Sequence, residues 1–447
     1  MIDIDKILKG DAQSVAIEIN ELKVSYGELK SKIALMEAFF EENGLTQGKR
    51  ICLAVDDPLE YYTHLLACFA KGVVVCPLSE TYSDNYSDRI LSIFRPSAVL
   101  KNGQNLILKS WEEETLSPEL GSTALVTFTS GTTGIPKGVC HSLDGLIRCC
   151  EAFNEHNDLN AKTKMMHVMP RFYMAGILNT FLSPLLAGGT VVISDTFSAQ
   201  NASVLFKKYC SSKANSIWLS PSMLLLSSKM TRDKEAIAWL SNSNSKVFVG
   251  TAPLPSKSKE IFQQKFSCEV LESYGTSELL FISCAKAGEG HTEGVGKPID
   301  GVNISFTDDE EVLVDSPWTM LGYINADGTG RYTGDIGKLD DGHLIITGRK
   351  KDLVIKGGQN ISPRYIEESA LSSDTIEEAA VVAEPHSFWG EVPILYILPN
   401  QSYAEKEFRD FLTSRLSKEQ YPEKIYVVKS FPKTATGKIV KNAIVRE

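Results

Sequence analysis

Apolar residues recur along the first 300 positions in two alternating rhythms. Leu29, Ile33, Met36 and Phe40 are spaced by four, three and four residues, which puts them on one face of a helix. Ser25-Tyr26-Gly27-Glu28 supplies a reciprocal N-terminal cap for that helix, and Gly44 a stop. Residues 51–55 then form a short continuous apolar run, 59–71 a second helical pattern and 73–78 another run. Further runs of strand length stand at 124–129, 165–169, 190–193, 216–219, 246–250 and 270–273, with helical patterns between most of them. Strands buried on both faces and alternating with helices predict α/β layers with largely parallel sheets.

The rhythm changes after about residue 300. Short strands with polar turns take over, and Asp341-Gly342 within 338–343 is a hairpin signal. Beyond the charged stretch Gly348-Arg349-Lys350-Lys351-Asp352, helical patterns at 363–371 and 408–416 mix with strand patterns at 379–383 and 394–398. The expected organisation is a large N-terminal domain of layered α/β subdomains over 1–350 and a small α+β C-terminal domain over 351–447.

Composition bounds the function classes. The 447 residues are 43% hydrophobic and 23% charged, ordinary for a globular chain, and too many for one core. A net charge of −10 argues against nucleic acid as the main partner. Of nine cysteines only Cys149 and Cys150 are neighbours, and no C-x-x-C pair exists, so neither a disulfide framework nor a zinc site is expected. The first six residues lack a basic region followed by an apolar one, so no signal peptide is expected. The apolar stretch 177–193 is broken by Asn179, Ser183-Pro184 and Gly188-Gly189, and reads as a helix, a turn and a strand instead of a membrane span. These features predict a cytoplasmic protein.

The chemistry begins where 124–129 runs into Thr129-Ser130-Gly131-Thr132-Thr133-Gly134-Ile135-Pro136-Lys137-Gly138. Glycines let backbone N–H groups turn toward an anion, hydroxyls add donors, and a lysine adds charge, so an apolar strand opening into this run is a phosphate cradle. Its spacing differs from the common G-x-x-x-x-G-K-[ST] loop. The run resembles the signature loop of the acyl- and aryl-CoA synthetases, peptide-synthetase adenylation domains and luciferases. Further motifs similar to those of this superfamily of AMP-forming ligases follow in order along nearly the whole chain.

What the resemblance implies can be assigned residue by residue. Thr129, Ser130, Gly131, Thr132, Thr133, Gly134 and Lys137 would bind ATP phosphates. In Tyr274-Gly275-Thr276-Ser277-Glu278, Tyr274 would stack on adenine beside Gly275. Thr276 would contact the α-phosphate or the acyl carboxylate, and Glu278 would coordinate Mg²⁺ with help from Thr129. Gly250-Thr251-Ala252 matches the adenine-facing loop, where the family usually carries glycine in place of Thr251. Asp335, in Tyr332-Thr333-Gly334-Asp335, would hold the ribose hydroxyls with Arg349, since a carboxylate accepts two O–H bonds readily. Lys351 matches the hinge of a mobile C-terminal domain. Gly357 and Gly358 match the loop lining the pantetheine tunnel of coenzyme A. Lys438, in Thr436-Gly437-Lys438, matches the catalytic lysine. His141, His167, His291 and His386 read as structural; Trp389 and Tyr426 read as core residues, with contact to the nucleotide of coenzyme A as the alternative.

The acyl pocket would be walled by Tyr173, Met174, Gly176 and Ile177. Amino-acid-activating relatives carry an aspartate at the place of Tyr173, so the tyrosine argues against an α-amino acid. It serves either as an aromatic gate or as plain packing, and both readings stay open. The apolar neighbourhood points to a fatty or aromatic carboxylic acid. Three function classes remain: a ligase that passes the acyl group to coenzyme A, a ligase that loads the phosphopantetheine arm of a carrier protein, and a non-catalytic nucleotide-binding protein.

Overall fold

The structure is a computed structural model that describes residues 3–79, 82–109, 120–129, 136–242, 244–289, 293–357, 359–434, 437 and 439–444. Its fold is mixed α/β, with a large N-terminal domain and a smaller C-terminal one. In the larger of two mixed sheets, Val15–Ile19, Thr190–Ile193, Lys164–His167, Ser216–Leu219, Lys246–Val249 and Val270–Thr276 lie side by side and parallel. Antiparallel strands close both edges. The second sheet has seven strands. Arg50–Ala54 lies between Val74–Pro77 and Ala98–Lys101, and Val74–Pro77 runs parallel to Thr123–Thr129. Helices Tyr26–Glu42, Pro58–Lys71 and Leu143–His156 supply apolar residues to one continuous core.

Local sequence explains these elements closely. Ser25 and Glu28 form the reciprocal cap, with the Glu28 carboxylate accepting the Ser25 N–H at 2.7 Å and the Ser25 hydroxyl accepting the Glu28 N–H at 3.2 Å. Such a cap contributes about 1 kcal/mol. Leu29, Ile33, Met36 and Phe40 are all buried. A four-stranded antiparallel sheet follows, in the order Asn303–Phe306, Glu311–Asp315, Tyr332–Asp340 and His343–Arg349. Asp341 and Gly342 join the last two strands with φ of 46° and 76°, the left-handed pair that a tight hairpin requires.

Three expectations change. The helix expected from residue 177 is a π-helix over Ala175–Leu182. The Thr180 hydroxyl donates to the Ala175 and Gly176 carbonyls at 3.2 and 3.3 Å, in competition with the regular backbone ladder. The strand expected at 270–273 continues to Thr276, because Leu280–Cys284 returns alongside it and pairs its last residues. The helix expected at 408–416 is Glu405–Thr413, with Glu405 and Glu407 complementing the positive end of its dipole.

After Asp352 the chain builds a five-stranded sheet of its own, with helices Pro363–Leu371 and Glu405–Thr413. Val354, Ile366, Leu395 and Phe408 lie in a separate core beneath it. It meets the larger part through ion pairs: Lys257 donates to Asp374 at 2.6 Å and to the Ser373 carbonyl at 3.0 Å. Gly437 comes close as well, since a Cβ on it would stand 2.1 Å from the Ser222 hydroxyl. Among the described residues no helix is long and apolar enough to cross a membrane.

Candidate active site

The carboxyl ends of Ser216–Leu219, Lys246–Val249 and Val270–Thr276 open on one side of the parallel sheet, where α/β folds gather ligands. Gly250 leaves its strand between Ser273 and Trp218. A Cβ there would lie 2.8 Å from the Ser273 carbonyl and 3.3 Å from the indole, so only glycine fits. Thr251 follows with φ of 72°. A β-branched residue is strained in that left-handed conformation, which explains physically why glycine suits the position.

Tyr274, Gly275 and Thr276 form the end of their strand. A Cβ on Gly275 would meet the Leu280 carbonyl at 2.0 Å, so the glycine permits the tight return. The segment beyond is pinned from three directions. The Thr276 hydroxyl accepts the Leu279 N–H at 3.1 Å, the Glu278 carbonyl accepts the Met320 N–H at 2.8 Å, and His141 Nε2 donates to the Ser277 carbonyl at 2.7 Å. A carbonyl can only accept, so the His141 proton sits on Nε2. Burial lowers the His141 pKa to about 4 and keeps the ring neutral.

Glu278 is half-buried, and one of its carboxylate oxygens accepts the Tyr323 hydroxyl at 2.9 Å. The Lys137 ammonium stands 5.2 Å from the centre of the Tyr323 ring, so this phenol ties the carboxylate to the lysine that ends the phosphate loop. Lys137 itself begins the strand Lys137–Ser142 and pairs with Thr129 across the ladder. Among the described residues no group of three or more His, Cys, Asp or Glu side chains could cage a metal. A single carboxylate at Glu278 suits Mg²⁺ arriving with ATP, which takes most of its ligands from phosphates and water.

Asp335 is 4% exposed and draws two predicted residues to itself. Tyr274 donates its hydroxyl to one carboxylate oxygen at 2.6 Å, and Arg349 donates Nε to the other at 2.8 Å. Arg349 is the cross-strand partner of Asp335, and a one-residue bulge at Thr347, where the hairpin register shifts between Ile336 and Gly337, makes this contact. Burial, then the neighbouring Asp335 charge, pushes the Tyr274 phenol far above its ordinary pKa. Burial opposes the Arg349 charge, but Asp335 more than offsets it and raises the guanidinium pKa.

Tyr173 and Met174 are half-buried, while Gly176 and Ile177 are buried. The Phe172 and Tyr173 rings lie 4.6 Å apart, and a Cβ on Gly176 would collide with the Pro170 carbonyl at 2.2 Å. Trp218 packs nearby against Phe153, Phe248 and Phe281, and among the described residues its buried indole N–H meets no hydrogen-bond acceptor. Gly357 has φ of 60° and donates its N–H to the Trp389 carbonyl at 2.8 Å. A Cβ there would press on the Trp389 ring at 2.9 Å. Trp389 is 43% exposed and covers this loop, a correction to its reading as a core residue. Tyr426 stacks on Tyr396, with centroids 5.3 Å apart. Lys351 is exposed in a single 3₁₀ turn, Lys350–Asp352.

Several predicted residues lie outside the described set: Ser130, Gly131, Thr132, Thr133, Gly134, Gly358, His291 and Lys438. Of the other histidines, His167 bonds Tyr62 and Thr180, and His386 Nδ1 accepts the Phe388 and Trp389 N–H groups. Tyr323, His141 and Trp218 carry contacts that no local pattern announced. Tyr323 and Glu278 are 45 positions apart, and His141 and Ser277 are 136 apart.

Comparison with known proteins places this geometry. A family model described as AMP-binding enzyme matches residues 8–324, and one described as AMP-binding enzyme C-terminal domain matches 365–438. The chain is 27% identical to a 2-succinylbenzoate–CoA ligase of Staphylococcus epidermidis, over 98% of this chain and 97% of that protein. It is 30% identical to a 2-succinylbenzoate–CoA ligase of Lactococcus lactis, over 72% of this chain and 70% of that protein. Its fold matches ATP-bound MatB from Rhodopseudomonas palustris with a TM-score of 0.85 at 22% identity, covering 98% and 97% of the two chains.

Proposed function

The chain belongs to the AMP-binding enzyme family, and from that premise we propose that it is an AMP-forming ligase which activates an aromatic carboxylic acid and passes the acyl group to coenzyme A. The observation that carries the reading is the meeting of Tyr274, Asp335 and Arg349 at the strand ends that also present Thr276 and Glu278. The 2-succinylbenzoate–CoA ligases it resembles support an aromatic acid and a coenzyme A acceptor. Aromatic side chains around Tyr173 and Trp218 suit a flat acyl group.

A carboxylate is a poor electrophile because its charge repels nucleophiles. In the first step its oxygen attacks the α-phosphorus of ATP, and the bond from that phosphorus to the pyrophosphate oxygen breaks. In the second the thiol sulfur attacks the acyl carbon, the carbon–oxygen bond to AMP breaks, and the thiol proton leaves to solvent. Charge gathers on phosphate oxygens in the first step, so fixed cations and dipoles dominate it. Lys137 and Lys438 are the cations assigned there. Thr276 orients the α-phosphate or the acid. Asp335 accepts the ribose hydroxyls, with Arg349 and Tyr274 orienting its carboxylate. Mg²⁺, held by Glu278 and Thr129, would neutralise phosphate charge as part of the substrate. The segment from Lys351 to the C-terminus would turn about that residue, so that Lys438 and the Gly357-Gly358 loop serve one acyl centre in succession.

Acid-dependent pyrophosphate release, measured across aromatic, fatty, dicarboxylic and amino acids, tests this reading. Turnover is expected with aromatic acids, followed by thioester formation with coenzyme A. Turnover confined to fatty or amino acids would overturn the acyl assignment. Silence across the whole panel would leave a nucleotide-binding protein.

A further inference from the structure

Asp335 pairs regularly with Arg349 on one side of its strand but not with Glu311–Asp315 on the other. Glu311 pairs with Ile336, and Leu313 pairs with Tyr332. The single residue Val312 therefore faces three residues, Thr333, Gly334 and Asp335, which are extruded as a wide bulge. Gly334 enters it with φ of 71°. The bulge breaks the ladder with Glu311–Asp315, and amides left without a partner there must find other acceptors.

Side chains provide them. The Gly334 N–H donates to one Glu311 carboxylate oxygen at 3.1 Å, and the Asp335 N–H donates to the Thr333 hydroxyl oxygen at 3.1 Å. That hydroxyl in turn donates to the Val312 carbonyl at 2.8 Å. Glu311 is 5% exposed, an unusual site for a carboxylate. Its second oxygen takes the Lys350 ammonium at 2.9 Å, and Asp309 holds the same ammonium at 2.7 Å. A carboxylate this buried must have its oxygens satisfied by donors, and both Glu311 oxygens are. Here those donors are the amide preceding Asp335 and the lysine following Arg349, the two residues that meet across the ladder.

We propose that Glu311 and Thr333 are positioning residues for nucleotide selection: together they fix the bulge that aims the Asp335 carboxylate at the ribose hydroxyls. The inference rests on the ribose role given to Asp335 above. Neither residue touches substrate. Both act through Asp335, so their loss should appear as relaxed reading of the ribose more than as slower chemistry.

The test compares kcat/KM for ATP with that for 2′-deoxy-ATP and 3′-deoxy-ATP in wild type, Asp335→Ala, Glu311→Ala, Glu311→Gln and Thr333→Val. Wild type should prefer ATP by about tenfold or more, the discrimination that a hydrogen bond to a charged acceptor supplies. Glu311→Ala and Thr333→Val should bring the ratio close to that of Asp335→Ala, with KM for ATP rising more than kcat falls. KM for pyrophosphate in the reverse reaction should stay unchanged. Glu311→Gln keeps an acceptor for the Gly334 N–H and should restore most of the ratio. A wild-type ratio in Glu311→Ala, or in Thr333→Val should Glu311→Ala fail to fold, overturns the proposal while the Asp335 reading stands. If Asp335→Ala itself keeps the wild-type ratio, the ribose reading fails first and the inference falls with it.

Discussion

Asp335 is 4% exposed and has a donor on each carboxylate oxygen, whereas the side chain of Asp374, which answers Lys257 across the two domains, is 98% exposed. The first aspartate sits in a network that also fixes Tyr274, Arg349 and, through the adjoining bulge, Glu311 and Lys350. The second belongs to a loose contact that also includes an ion pair of Lys229 with Glu377, 4.0 Å apart between half-exposed side chains. Buried, mutually satisfied polar groups hold one geometry. Exposed ion pairs contribute little, are screened by salt and can be exchanged for water. On the function proposed above, the nucleotide corner would stay fixed while the contact with the small domain would be broken and remade. That division is what two successive reactions at one acyl centre require.

The sharpest way to break the comparison is at Lys438. Lys438→Ala should slow adenylate formation by roughly a few hundredfold, about 3–4 kcal/mol, as loss of one electrostatic stabiliser does. The same variant should still convert a supplied acyl-adenylate to thioester at a near wild-type rate. Single-turnover assays of the two half-reactions check this, and equal loss in both would remove the case for a small domain that changes partners.

The fixed side should also respond to acid. Burial lowers the pKa of His141 to about 4, that of His64 to about 4 and that of His167 to about 3. The unfolded chain binds these protons near pH 6.5 and the folded chain only near 3 to 4. Stability should therefore be level above pH 6.5 and fall as pH drops from there toward 4. His141→Gln can keep a donor to the Ser277 carbonyl but cannot titrate, so its melting temperature should fall less steeply over that window. A wild-type slope in the variant would remove His141 from the set.

Much of the fixed corner was legible in the sequence, and the reason is local. Asp341-Gly342 marks the hairpin that carries Asp335 and Arg349, although its turn register alone would set Asp335 opposite Gly348, and one extra residue, Thr347, brings Arg349 opposite instead. Gly250 and Gly275 sit where any side chain would strike a carbonyl. What escaped notice is what long-range packing makes. Glu311 is one acidic residue in Asp308-Asp309-Glu310-Glu311, and nothing in that run marks it as the buried one. Tyr323 and Trp218 look like ordinary aromatic residues of short strands. The π-helix over Ala175–Leu182 depends on a threonine hydroxyl competing with the backbone, which apolar spacing does not register. Trp389 shows the same limit: nothing in Phe388-Trp389-Gly390-Glu391 distinguishes a core tryptophan from one that is 43% exposed over the Gly357 loop.

Thr251 sharpens the comparison from inside the corner. It holds φ of 72° where glycine would be unstrained. Thr251→Gly should raise stability by about 1 kcal/mol, the order of the left-handed penalty less the extra freedom glycine brings to the unfolded chain. Thermal unfolding with and without ATP measures it. A fall in stability would mean that the hydroxyl or methyl makes a contact worth more than the strain.

The smallest effect is expected at Lys257, and its form matters more than its size. Lys257→Met removes the contacts to Asp374 and the Ser373 carbonyl but keeps most of the aliphatic stem. Neither partner lines the nucleotide corner, so KM for ATP should hold. If the contact favours the pose that brings Gly437 to Ser222, adenylation should slow by a few-fold at most, with thioester formation unchanged or slightly faster. Wild type should converge on the variant as salt rises from about 0.05 to 0.5 M, because screening removes the same attraction. A variant that loses both half-reactions equally, with no dependence on salt, would show that Lys257 serves the fold and not the exchange of poses.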